Sequence, residues 1–64
     1  MRIDRAKLAA ELAKRSWSQK KLSEESGVSR QTICYIKCGK NCSDEIGQKL
    51  AVALGMDVTD LLED

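Results

Sequence analysis

Apolar residues recur three and four positions apart along most of this chain, and most such stretches lie between a residue able to cap a helix and a glycine able to end one. Leu8, Ala9 and Leu12 fall on one face of a segment rich in Ala, Leu, Lys, Arg and Glu, which predicts a first helix over about residues 3–15. Ser18 can cap a second helix, reaching to about residue 26, with Leu22 as its main apolar residue and Gly27 placed to end it in a left-handed turn. Ser29 can cap a third, with Ile33 and Ile36 on one face and Gly39 beyond its end. Ser43 caps a fourth, whose stripe is Ile46, Leu50, Ala51 and Leu54, whose first turn holds Asp44 and Glu45, and which Gly55 closes. Asp57 caps a short fifth helix carrying Val58, Leu61 and Leu62. β-Branched residues never alternate with polar ones over the length of a strand, so the predicted class is all-α with five helices. Gly47, inside the fourth stripe, either lets a neighbouring helix approach closely or is a tolerated defect.

Sixty-four residues, 42% apolar and 33% charged, form one domain spanning residues 1–64. A chain of this size buries only about 60% of the surface it exposes when unfolded, which leaves no room for a large enclosed active site. Histidine is absent, and with it the usual general base and the commonest metal ligand, so an enzyme is not expected. No cofactor is expected either. The amino-terminal residues lack the apolar stretch of a secretory signal and no apolar run could span a membrane, which points to the cytoplasm.

Charge is distributed unevenly along the chain. Residues 1–40 carry ten Lys or Arg against four acids, a balance of +6, whereas residues 41–64 carry Lys49 against six acids, a balance of −5. Such asymmetry suggests a basic face toward a polyanion, with chance patterning on solvated helices as the alternative.

Two short helices joined around Gly27 can pack as a helix-turn-helix if Leu22, Val28, Ile33 and Ile36 share one small core. With 100° per residue and Ile33 at zero, Ile36 falls at about −60°, while Cys34, Cys38, Gln31 and Tyr35 fall at about 100°, 140°, 160° and 200°. Those four face outward, and Arg30, at about 60° in the first turn, has the reach to join them.

The stretch from Gln19 to Ile33, QKKLSEESGVSRQTI, resembles the phage-repressor and Cro-like (XRE-type) helix-turn-helix family in the spacing of Gln19, Leu22, Gly27, Val28, Ser29 and Ile33, with Ile36 continuing the pattern. The likeness extends through Gly39-Lys40 and through residues 49–55, and places the motif at about residues 19–38. Two positions depart from the family: Ser23 stands where Ala is usual and Ser26 where an apolar residue is common, which bears on tightness of packing. The resemblance implies a compact five-helix, lambda-repressor-like domain whose third helix enters the major groove of double-stranded DNA. It implies a sequence-specific transcriptional regulator, by family habit a repressor, bound as a homodimer.

Carried over residue by residue, Arg30, Gln31 and Tyr35 match base-reading positions, Gln19 a phosphate-contacting position, and Lys40 and Asn41 a backbone-contacting loop. Arginine can bond guanine through O6 and N7, and glutamine adenine through N6 and N7, as base reading at Arg30 and Gln31 would require. Cys34 joins the base-facing set by its angle, while Ser29 and Thr32, at the start of the third helix, are placed with the backbone contacts. Ser29 is equally explained as a cap. Trp17 lies outside the recognition helix and is read as an apolar lid between the first two helices. The homodimer surface is expected on the fifth helix through Val58, Leu61 and Leu62, residues that could as well complete the core.

Cys34, Cys38 and Cys42 are odd in number and have no fourth Cys or His beside them, so free thiols are expected rather than disulfides or a metal site. Cys42 is read as a small apolar filler. A different functional class, a protein-binding module such as an antitoxin or transcription adaptor, would use the same helices to hold a protein. Salt separates the two, because phosphate neutralisation gives a steep dependence and an apolar interface does not.

Overall fold

The chain folds into four α-helices and one 3-10 turn; the computed structural model describes residues 1–63, so Asp64, the last residue of the expected domain, lies outside it. The helices are α1 (Arg5–Arg15), α2 (Gln19–Ser26), α3 (Arg30–Lys37) and α4 (Asp44–Leu54). Ser18, Ser29 and Ser43 cap α2, α3 and α4 as expected, each hydroxyl accepting from a backbone N–H in the first turn. Gly27 and Gly55 end α2 and α4 in the left-handed conformation, at φ 74° and 69°.

Two boundaries differ from the sequence reading. α1 starts two residues late, because Asp4 takes the capping role and accepts from Ala6 and Lys7 N–H. Ile3 is instead extended, bridges Leu62 and is fully buried. The expected fifth helix is a single 3-10 turn, Val58–Asp60. Its continuation is pre-empted by the amino-terminal segment: the Leu61 carbonyl accepts from Asp4 N–H at 2.7 Å, and Glu63 N–H donates to the Arg2 carbonyl at 3.1 Å. Those backbone groups are paired without the cost of nucleating another helix.

One core joins all of these elements. Leu8 and Leu12 of α1, Leu22 of α2, Val28 of the turn, Ile33 and Ile36 of α3, and Leu50, Ala51 and Leu54 of α4 are buried together with Ile3, Val58 and Leu61. Val58 and Leu61 are therefore spent on the core, and of the expected dimer surface Leu62 alone is left, partly buried. Trp17 lies partly buried against the core after α1, with the Lys21 ammonium 5.9 Å from its ring centroid. What comes close to Gly47 is not a helix but the amino-terminal residue: a methyl group there would run into the Met1 side chain. Among the described residues no helix is long and apolar enough to cross a membrane.

Candidate nucleic-acid interface

α2 and α3 are held at a fixed angle by the turn between them, and side-chain hydroxyls fasten that turn. Ser23 Oγ donates to the Val28 carbonyl at 2.6 Å, and Ser26 Oγ donates to the Leu22 carbonyl at 2.6 Å while accepting from Val28 N–H at 3.2 Å. The two serines that depart from the family pattern thus replace apolar packing with bonds to the turn's own backbone. Beneath the turn, Leu22, Val28, Ile33 and Ile36 are each at most 3% exposed and form the small core that the spacing required.

With Ile33 and Ile36 turned inward, the opposite face of α3 is open. Arg30, Gln31, Cys34, Tyr35 and Cys38 are all exposed, as their helical angles demand, and Tyr35, at 53%, is with Val52 of α4 one of the two exposed large apolar side chains among the described residues. At the amino-terminal end of α3, Ser29 Oγ accepts from Thr32 N–H at 3.2 Å and lies 2.9 Å from Thr32 Oγ1. Ser29 is exposed and Thr32 half-buried, and each hydroxyl is already engaged in fixing the helix start. Gln19, half-buried, opens α2, so its backbone lies at the positive end of a helix dipole.

The far end of α3 turns back sharply. Cys38 N–H donates to the Cys34 carbonyl at 3.0 Å, Gly39 adopts φ 90°, and Lys40 N–H returns to the Tyr35 carbonyl at 3.0 Å. That reversal sets Lys40 and Asn41 on the surface immediately beyond the helix. The structure therefore gathers Arg30, Gln31, Cys34 and Tyr35 on one helix face, with Ser29 and Thr32 at its start and Lys40 and Asn41 at its end. Gln19 belongs to the neighbouring helix.

Ion pairing divides the basic residues in two. Arg2, Lys14, Arg15, Lys21 and Lys49 each lie within 4 Å of a carboxylate, and Lys7 donates to the Leu62 carbonyl. Among the described residues, Lys20, Arg30, Lys37 and Lys40 have no acid partner, and all four sit on α2, α3 or the turn after α3; Arg5 is the one such cation elsewhere. An uncompensated positive field around α3 is what a polyanion would meet. Lys20 and Lys37 escaped the sequence reading, which fixed on residues matching the motif. The lack of any acid from residue 26 to residue 43 could have revealed Lys37; Lys20, with Glu24 four residues on, carries no such signal.

Elsewhere the titratable groups do structural work. Arg15 bonds both the Glu11 carboxylate and the Leu54 carbonyl, tying α1 to the end of α4, and with Lys14 it holds the Glu11 carboxyl below its usual range. Burial pushes the Cys42 thiol up, in keeping with its place against the core. All three cysteines are free thiols, and no cluster of three metal-ligating side chains occurs among the described residues.

The sequence profile of the Cro/C1-type HTH DNA-binding domain matches residues 7–64, and the chain belongs to that family. It is a DNA-binding helix-turn-helix domain of a transcription regulator, directed at double-stranded DNA. Comparison with curated proteins and with solved structures gives no match.

Proposed function

We propose that this protein is a sequence-specific repressor that acts in the cytoplasm and reads the major groove with α3. The observation that carries the reading is the coincidence, on and around one helix, of an exposed polar face with cations that have no acid partner. Arg30, Gln31, Cys34 and Tyr35 face base edges, with Arg30 and Gln31 offering the bidentate geometry that separates guanine and adenine from other bases. Gln19, Ser29, Thr32, Lys40 and Asn41 hold the phosphate backbone and set register, and Lys20 and Lys37 add charge to the same track. The acidic residues beyond residue 43 face away from the DNA.

A recognition helix of eight residues spans few base pairs, so two copies bind paired half-sites about one helical turn, roughly 34 Å, apart. Their contact lies outside Val58 and Leu61, which the core consumes. Selection of bound sites from a random DNA pool, followed by the mass of the complex on the selected site, tests both statements. A two-fold symmetric site carrying two copies is expected; one copy on an asymmetric site would defeat the dimer.

A second reading, a protein-binding module of the antitoxin or adaptor kind, is favoured by one feature. A shallow groove between α2 and α4 has an apolar floor at Val52 and Ala53, with Val52 76% exposed, and is further lined by Glu25, Ser26, Glu45, Gln48 and Lys49. If that groove were the main interface, binding would vary little with salt, whereas phosphate neutralisation by the α3 cations predicts a steep fall.

A further inference from the structure

α3 carries two exposed thiols whose reactivity the proposed DNA contact, in which Cys34 faces base edges, does not use. Cys34 and Cys38 lie one helical turn apart, and the Cys38 N–H to Cys34 carbonyl bond keeps the helical geometry intact between them. Both are exposed, on the same outward side as Gln31 and Tyr35. Side chains four apart on a helix have Cβ atoms about 5–6 Å from each other, whereas a disulfide needs about 3.5–4.5 Å. The pair therefore cannot close on itself without unwinding the end of α3, and each thiol is left to react outward.

Cys42 is a built-in contrast. It is half-buried against the core, where burial raises its thiol and restricts approach to it. Around the exposed pair stand Lys37, next in sequence to Cys38, Arg30, one turn before Cys34, and Lys40, none with an acid partner among the described residues. That field attracts an anionic reagent to the two accessible sulfurs.

We propose that Cys34 and Cys38 form a modification site for anionic low-molecular-weight disulfides, and that mixed-disulfide formation there switches DNA binding off. The cysteine thiol gives its proton to solvent, and the thiolate attacks one sulfur of the disulfide. A new bond joins the protein to that sulfur, the original S–S bond breaks, and the departing thiolate takes a proton from water. The cysteine sulfur is oxidised and the leaving sulfur reduced, so the exchange balances. An adduct of this kind puts bulk and negative charge on the face that must enter a groove about 12 Å wide between phosphates. The loss of binding rests on reading α3 as the groove-facing helix.

The test treats the reduced protein with oxidised glutathione, maps adducts by peptide mass, follows helix content by circular dichroism, and measures affinity for a site selected with untreated protein. Each variant is compared with its own untreated sample. Adducts on Cys34 and Cys38 but not Cys42 are expected, with helix content retained. Affinity should fall by about tenfold or more, the effect of one lost base contact, and return on adding dithiothreitol. The double variant C34S/C38S should show no change on treatment, and Cys42→Ser should keep the full sensitivity. Adducts at Cys34 and Cys38 with unchanged affinity, adducts confined to Cys42, or a loss of binding that tracks loss of helix would overturn the proposal. Failure of the untreated protein to select any DNA sequence would instead refute the groove assignment beneath it.

Discussion

Replacing Ser26 by Ala distinguishes two accounts of the helix-turn-helix corner. From the family pattern, in which an apolar residue is common at this position, the change should be neutral or stabilising. From the structure it should be destabilising, because Ser26 Oγ donates to the Leu22 carbonyl and accepts from Val28 N–H, and Val28 is buried. A hydrogen bond of this type contributes about 1 kcal/mol net, and an unpaired, partly buried N–H costs at least as much. Alanine returns up to about 0.5 kcal/mol in helix propensity at the last residue of α2. The expected loss is about 1–2 kcal/mol, out of a total near 3–10 kcal/mol for a domain of this size. In thermal denaturation followed by circular dichroism, about 1 kcal/mol corresponds to a fall of roughly 4–8 °C. Ser23→Ala, which removes one bond to the Val28 carbonyl, should lose about half as much. A Ser26→Ala protein as stable as the parent would refute the claim that hydroxyls fasten this turn.

Ile33→Ala empties a fully buried position under α3 and should cost about 2–5 kcal/mol, a large share of the total, as read from the urea midpoint. Glu11→Gln should destabilise the domain at neutral pH: its carboxyl is held low chiefly by the Arg15 hydrogen bond, so its contribution is present above the ordinary carboxylate range and lost as pH falls through the lowered value. Melting curves of parent and variant should therefore converge on acidification, and a constant gap would contradict the linkage. Lys40→Ala should weaken binding to all DNA sequences alike and reduce the dependence of log affinity on log salt by about one, as titrations at several salt concentrations would show.

The helix boundaries most legible in the sequence were those with a local chemical signature. Ser18, Ser29 and Ser43 announce starts because a hydroxyl competes for the first N–H groups, and Gly27 and Gly55 announce ends because they adopt positive φ. α1 ends without such a signal, at Ser16 with φ 56°, and begins at Asp4 rather than near Ile3. Ile3 carried the right hydrophobicity for a helix, but its partner Leu62 is fifty-nine positions away, and local pattern cannot see that pairing. The same pairing with residues 2–4 ends the fifth helix after one 3-10 turn, and of the two places open to Val58 and Leu61, surface or core, both take the core. The outward face of α3 was readable because periodicity alone fixes which side opposes Ile33 and Ile36. The ion pairs of Lys14, Arg15, Lys21 and Lys49 were legible too, since each joins residues three or four apart in one helix, whereas Arg2 with the distant Glu63 was not.

Whether α3 reads bases while its surroundings hold the backbone is decided by the base-pair preferences of Arg30→Ala and Gln31→Ala. Affinities of parent and variants would be measured on the selected site and on every single-base-pair change of it, with folding checked by circular dichroism. Each variant should lose about 1–3 kcal/mol on the selected site and become indifferent at one base pair per half-site while keeping the parent's preferences elsewhere. Folded variants that bind the selected site as tightly and with the same preferences as the parent would contradict the account.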